Sequence, residues 1–410
     1  MIISKLEASL GKSRAAFLIN IEMVFPSLKA GKKTERLESF AGILGLFSFW
    51  KILFSGFALL AISFLPLGRN YVAFPFYPRA HYLNWVWANF DGLHYLEIAL
   101  RGYHGFDFAY FPLLSWLISL AQRIFLTAPL PTAVLICNLA FLASLFVIFK
   151  IILLDYSTKI AWRTIFFIVI FPTSFYYGAI YTESVYLLLA TLSFYFARKS
   201  KWLFCGILGY FAGLTRLVGV ALLPALLAEW LIQNKFSFSW PKFLKTKAYF
   251  LFLVPLGIIT YAVFLQLRYG DALLFQKSMS VWEQSKFVFP LQVFWRYLKI
   301  IFLFPDKTNL VYWVAILEMV SAFFYFALGF YALKRIRISY GIFMLLSLII
   351  PIFTGTLQSM PRYILHLFPA FLAIALLTEK SKSIFCLTIV IFLVLGFILT
   401  ALFTRGYFIG

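Results

Sequence analysis

The chain has 410 residues, of which 63% are hydrophobic and 12% charged. A soluble domain of ordinary composition carries about a quarter charged residues and about half apolar ones, so this excess of apolar residues needs lipid as its solvent. The net charge of +21 does not argue for nucleic acid, because the Lys and Arg residues sit in short loops between apolar segments, where positive-inside bias and anionic head groups account for them.

Residues 1–38 mix acids and bases around a short apolar run and read as a basic, cytoplasmic N-terminal segment, not as a cleaved leader. Residues 39–410 then read as one transmembrane domain. Apolar stretches too long for barrel strands make helices the spanning element, since a helix satisfies its own backbone hydrogen bonds. Segments are expected near 40–66, 109–127, 131–154, 164–181, 183–198, 202–216, 217–233, 248–267, 310–333, 339–356, 363–378 and 384–403. The expected fold is therefore an all-α, polytopic bundle of 11–12 segments.

Basic clusters orient this bundle: Lys32/Lys33/Arg36, Lys159/Arg163, Arg198/Lys199/Lys201, Lys235/Lys242/Lys245/Lys247, Lys334/Arg335/Arg337 and Lys380/Lys382 on the cytoplasmic side. The loop 67–108, the Tyr181–Ser184 turn, Arg216, the loop 268–309 and Met360–Tyr363 fall on the other side. Parity allows this only if one early segment dips without crossing. The stretch 109–127, bracketed by Pro112, Pro129 and Pro131, is the expected one.

The first outer loop holds three of the four histidines, His81, His94 and His104, with Asp91, Glu97, Asp107, Arg69, Arg79 and Arg101. Its centre, Trp85 to Glu97, has the Trp and Tyr content of a helix lying at the membrane interface. Asp91, His94 and Tyr95 then share one face at i, i+3 and i+4. A carboxylate held at a lipid boundary is partly desolvated, and desolvation makes a carboxylate a better base. Asp91 as a plain helix cap is the alternative. A metal site of Asp91, His94 and His104 lacks any recognised ligand spacing, and no metal or other cofactor is expected.

Further along, Phe171-Pro172-Thr173-Ser174-Phe175 runs through Tyr176, Tyr177 and Tyr181 to Thr182-Glu183-Ser184. Pro172 and Gly178 break the helix, Thr182 is placed to cap the next one, and Glu183 falls in its first turn. Arg216 interrupts the apolar stretch 202–232, and a lone arginine there is a functional candidate, with snorkelling as the rival account. Arg268, in an outer loop followed by Trp282, and Arg362, one turn before His366, complete a cluster of acids and arginines expected on one face. The three cysteines, Cys137, Cys205 and Cys386, lie in apolar segments with no metal or disulfide spacing.

Phe90-Asp91-Gly92-Leu93-His94-Tyr95, Phe171-Pro172-Thr173-Ser174-Phe175 with Tyr181-Thr182-Glu183-Ser184, Thr215-Arg216 and Pro361-Arg362-Tyr363 together resemble the GPI mannosyltransferase II family and its prokaryotic relatives, over residues 40–375. That family belongs to the GT-C class of membrane glycosyltransferases. The resemblance implies a sugar, typically mannose, carried on a polyprenyl or dolichyl monophosphate, and inverting transfer to a lipid or glycan acceptor at the external or lumenal face. It points to Asp91 as the acid/base position.

In the expected chemistry Asp91 takes the acceptor proton with His94 orienting it, Glu183 assists, and Arg216, Arg362 and Arg268 receive the lipid phosphate. Trp85, Trp87, Tyr95, Tyr176, Tyr177 and Tyr181 are expected to meet sugar or acceptor. No glycine-rich nucleotide loop is present. A transporter or flippase of lipid-linked sugars is the competing class, and it requires charges near the bilayer midplane. A non-catalytic membrane scaffold is the third.

Overall fold

The computed structural model of the protein describes residues 32–68 and 81–409. The basic stretch up to residue 31, and residues 69–80 with Arg69 and Arg79, lie outside the described residues. Within them the chain is all-helical. We number the helices of ten residues or more: α1 Lys32–Phe64, α2 Asp91–Arg101, α3 Leu113–Phe125, α4 Pro129–Ile152, α5 Thr158–Ile170, α6 Glu183–Arg198, α7 Trp202–Gly213, α8 Leu222–Gln233, α9 Leu253–Tyr269, α10 Pro290–Leu303, α11 Leu310–Tyr331, α12 Ile338–Ile352, α13 Phe368–Leu377 and α14 Lys382–Thr404.

Among the described residues five helical stretches are long and apolar enough to cross a membrane: Glu38–Phe64, Pro129–Ile152, Ala248–Tyr269, Leu310–Ile336 and Lys382–Thr404. Met360–His366 with Phe368–Leu377, bent by 92° at the break, makes a sixth if the pair counts as one span. This composition and length make the chain a multi-pass membrane protein.

Sequence pattern explains how these helices face two solvents. On α1, Ile43, Leu46, Trp50, Phe54, Ala58 and Ala61 recur every three or four residues and are buried against the bundle. Phe49, Ile52, Leu59, Leu60 and Phe64, equally apolar, are exposed on the same helix. A helix apolar all round with only one side packed is a helix that meets lipid on the other. The same holds for α14, where Leu387, Val390, Val394 and Ile398 are exposed. These two helices pack on each other.

The expected 11–12 segments, one of them dipping, are shown only in part: five or six stretches among the described residues are long and apolar enough to cross. The expected segments near 164–181, 183–198, 202–216 and 339–356 overlap α5, α6, α7 and α12, with 13, 16, 12 and 15 residues, and the segment 217–233 matches a helical stretch in which a 3-10 turn, Leu217–Ala221, leads into the 12 residues of α8. Helices of that length rise about 18–24 Å, short of the ~30 Å hydrocarbon core. The expected segment near 363–378 is split at Leu367, where Pro369 opens α13. Proline, glycine and polar breaks leave a hydropathy profile almost continuous while they divide the backbone. α3, the segment expected to dip, has 13 residues and rises about 20 Å.

The interior is a chain of packed neighbours, α4 on α6, α6 on α7 and α7 on α9. The last contact is close because glycines line it: a Cβ at Gly213 would lie 2.8 Å from the Val254 carbonyl, and one at Gly257 would lie 2.2 Å from that of Tyr210. Small residues at such seams let membrane helices approach. This packing holds α6 as a central post, with Glu183 at its N-terminal end and Arg198 at its C-terminal end, about 22 Å apart along the axis.

Candidate active site

Four separate stretches of chain deliver charge to the N-terminal end of α6. Phe90, at φ 57°, turns the chain into α2 so that Asp91 is its first residue. The Asp91 N–H donates to the Tyr181 hydroxyl at 3.2 Å, and that hydroxyl donates to the Asn89 carbonyl at 2.9 Å. The Ile180 N–H donates to the Trp87 carbonyl at 2.9 Å, so the turn before α6 is stitched to the turn before α2. Arg216 sits in extended conformation after α7 ends. Arg362 belongs to a four-residue turn, Met360–Tyr363, entered through Ser359 at φ 68°. Non-glycine residues held at positive φ carry strain that the surrounding structure must enforce, and here two of them introduce charged side chains of the same cluster.

The four charges meet. Arg362 Nη1 donates to Asp91 Oδ2 at 2.8 Å, and its Nε lies 3.3 Å from Glu183 Oε1. Arg216 Nη1 donates to Glu183 Oε1 at 2.5 Å and to the Thr182 hydroxyl at 3.3 Å. The guanidinium of Arg362 lies 5.4 and 5.1 Å from the ring centroids of Tyr176 and Tyr181, and that of Arg216 lies 5.8 Å from the centroid of Tyr363. Cations over aromatic faces in a desolvated setting are stabilised further.

The two acids differ in access. The Glu183 side chain is 1% exposed and sits between both arginines, whereas Asp91 is 28% exposed. Asp91 is therefore the more accessible carboxylate, and Glu183 is enclosed between the two guanidiniums. Glu183 Oε2 and Arg362 Nε have no hydrogen-bond partner among the described residues. Buried polar atoms without partners call for an explanation, and a bound polar group is one.

A cavity of about 210 Å³ opens over this cluster, walled by Asp91, Tyr95, Tyr110, Tyr181, Arg216 and Arg362 among others. Tyr176 and Glu183 line it as well.

Other expected residues are placed elsewhere. Trp87 and Tyr177 are core side chains: Trp87 is buried with Lys51 5.5 Å from its ring, and Tyr177 stacks on Phe141 and donates to the Leu365 carbonyl. Trp85 is also buried, in the packing around α2 and α3. Arg268 is exposed at the end of α9 and is not part of the cavity wall. Thr182 makes no side-chain cap bond, because its hydroxyl serves Arg216 instead.

His94 pairs with Asp107, Nδ1 to Oδ1 at 2.8 Å, and not with Asp91. His104 approaches the other oxygen of Asp107 at 3.1 Å, so neither histidine joins Asp91. Among the described residues no group of three His, Cys, Asp or Glu is placed to hold a metal ion.

The link from His94 to Asp91 is indirect. The His94 ring stacks on Tyr110, with centroids 4.7 Å apart, and the Tyr110 hydroxyl donates to Asp91 Oδ1 at 3.4 Å. Tyr110 is a neighbour of the cluster that sequence reasoning missed, and Asp107, named there only among the acids of the loop, is the partner of His94. Both follow a helix whose C-cap, Gly102, has φ 84°, and that turn returns the chain across α2. A glycine with positive φ after a short amphipathic helix is the signal for such a return.

No protein-family model matches the chain, and no curated protein matches it.

Proposed function

We propose that the chain is an inverting glycosyltransferase of the membrane, moving a hexose, with mannose the first candidate, from a polyprenyl or dolichyl phosphate to an acceptor hydroxyl on the non-cytoplasmic face. The reading includes a GT-C arrangement in which α2 is an interfacial helix. The observation that supports it best is the convergence of one accessible carboxylate and two guanidiniums, drawn from four distant stretches of chain, in a single cavity of a membrane protein.

The chemistry needs few parts. The acceptor O–H gives its proton to the Asp91 carboxylate while its oxygen forms the new bond to the anomeric carbon. The bond from that carbon to the phosphate oxygen breaks, and its electron pair leaves with the lipid phosphate. The configuration inverts, and the proton on Asp91 returns to water. The leaving group departs as an anion, so cations serve it better than an acid does. Arg362 is tied to Asp91 by the 2.8 Å hydrogen bond. A donor phosphate competes for that guanidinium, and its arrival frees Asp91 Oδ2 for the acceptor hydroxyl. Glu183, still paired with Arg216, keeps the arginines from swinging away.

Replacing Asp91 by Asn tests this in purified protein in lipid vesicles supplied with polyprenyl-phosphate mannose. General-base catalysis contributes about 10²–10⁴-fold, so transfer falls by that order while binding of the lipid phosphate and membrane insertion persist. Near-wild-type turnover removes Asp91 from the mechanism.

A further inference from the structure

A second and larger cavity, of about 820 Å³, lies beside the acid–arginine cavity. The two share Trp282, Gln358 and Phe408 as walls. Gln284, in the wall of the smaller cavity, donates from Nε2 to Gln358 Oε1 at 2.8 Å, so a pair of carboxamides stands at the junction. Pockets for small organic ligands run to about 300–1,000 Å³. The smaller cavity, at about 210 Å³, falls below that range and the larger lies within it. A transferase must bring two substrates together, and the smaller space alone does not hold both.

The chemistry of the two cavities differs. The smaller presents two guanidiniums, which suit a phosphate, whereas the larger has a single arginine, Arg296, in its wall together with Glu283. The larger contains Glu318, on α11 within one of the membrane-crossing stretches, and its carboxylate is buried with no ion pair among the described residues. An acid in a span is a functional candidate by default. Glu318 Oε2 accepts from the Tyr297 hydroxyl at 2.6 Å, and Oε1 accepts from the Ser359 N–H at 3.2 Å. A carboxylate offers about four acceptor sites, so two remain. Thr356, 3.1 Å from the Tyr297 hydroxyl, and Gln358 add donors and acceptors on the same wall. Carboxylate, hydroxyl and carboxamide groups beside an aromatic ring, Trp282, are the partners that a ring bearing several hydroxyls needs. Val314 and Ala315 supply an apolar side.

We infer that the larger cavity is the acceptor subsite and takes a polyhydroxylated head group, a sugar or a cyclic polyol, with Glu318 as its deepest hydrogen-bond acceptor. The inference rests on the glycosyltransferase reading and names the second substrate of that same site. The reacting hydroxyl reaches Asp91 past the Gln284–Gln358 pair, and the rest of the head group stays beside Glu318. The head group has two possible sources, a free glycoside or a lipid that carries the sugar.

The test uses the full chain in vesicles with polyprenyl-phosphate mannose as donor. Methyl mannoside, free or attached to a diacylglycerol, is the acceptor. Val314→Trp fills the cavity and Glu318→Gln keeps its shape but removes the charge. Both variants raise the acceptor KM about tenfold or more and leave the donor KM within about twofold, the pattern of lost binding to one substrate. Transfer to the free glycoside marks a soluble acceptor, and transfer only to the lipid-borne sugar marks a membrane one; either supports the subsite. An unmoved acceptor KM in both variants overturns it, as does a donor KM that rises alone, because Glu318 then serves only to hold Ser359 and Arg362. If the wild-type chain releases no sugar from the donor, to acceptor or to water, the glycosyltransferase reading itself fails.

Discussion

The two ends of α6 carry similar sets of charges in opposite condition. At the C-terminal end, Arg198 is bidentate to Asp155 at 2.5 and 2.7 Å, and Arg337 is bidentate to the fully buried Glu229 at 2.6 and 2.7 Å. Ser339 and Gln233 donate to the same Glu229 carboxylate. At the N-terminal end, Asp91, Glu183, Arg216 and Arg362 also amount to two acids and two arginines. There each contact is single-point, two buried polar atoms, Glu183 Oε2 and Arg362 Nε, have no hydrogen-bond partner among the described residues, and a cavity opens alongside. A satisfied network rigidifies, while a partly satisfied one in a cavity is held ready for something else. Charge content alone does not distinguish a lock from a site. Geometry and satisfaction do.

The lock is tested first because it predicts the largest effect. Arg337→Ala leaves the Glu229 carboxylate buried with Arg198 Nε at 3.6 Å as its nearest remaining cation. Breaking a buried pair by removing one partner costs about 3–5 kcal/mol, read as a lower unfolding midpoint in detergent. A loss below about 1 kcal/mol, the range of exposed pairs, breaks the comparison. Arg362→Ala at the other end has the reverse signature. Glu183 keeps Arg216, so stability changes little, while transfer falls by about 10²–10³, as when an electrostatic donor to a transition state is removed. Arg362→Lys does not rescue it, because only a planar fork reaches Asp91 and Glu183 together.

A smaller effect sharpens the boundary of the site. The Tyr110 hydroxyl meets Asp91 Oδ1 at a long 3.4 Å, so Tyr110→Phe slows transfer only a few-fold, in keeping with the roughly 1 kcal/mol of an ordinary hydrogen bond. Assays of initial rate at saturating donor measure it. A loss as large as that of Asp91→Asn places Tyr110 in the proton path itself.

The charged residues of the site were legible in the sequence because ionisable groups beside apolar stretches stand out: Asp91, Glu183, Arg216 and Arg362 are drawn together as expected residues of one cluster. Glu318 emits the same signal, an acid inside an apolar segment, but no motif surrounds it. Trp87 and Tyr177 read as sugar-facing because they neighbour functional residues, yet burial is decided by what packs from elsewhere, Lys51 and Phe141 among them. His94 lies one turn from Asp91 on the helix, but a partner 13 residues away, Asp107, takes it through a turn at Gly102 that helical periodicity does not reveal. The count of crossings was the least legible property, since a proline- or glycine-broken pair of short helices and one long helix give the same hydropathy.

The finest test compares one backbone position at each end. Ser200, at φ 57°, ends α6 beside Arg198, with the Lys201 N–H returning to the Phe196 carbonyl at 2.9 Å. Glycine is the favoured residue at such a helix end, so Ser200→Gly raises stability by about 0.5–1 kcal/mol and leaves transfer unchanged. Ser359, at φ 68°, is the matching serine at the site end, but it begins a turn instead of ending one, and its N–H is held by Glu318. Glycine relieves the same strain there and also opens other backbone states to the segment that carries Arg362. Ser359→Gly is therefore expected to leave stability within about 1 kcal/mol of wild type while transfer falls a few-fold, with the donor KM raised because Arg362 is no longer fixed in place. Equal behaviour of the two variants would mean that the strained turn has no part in presenting Arg362, and that the site end is as passive a support as the lock.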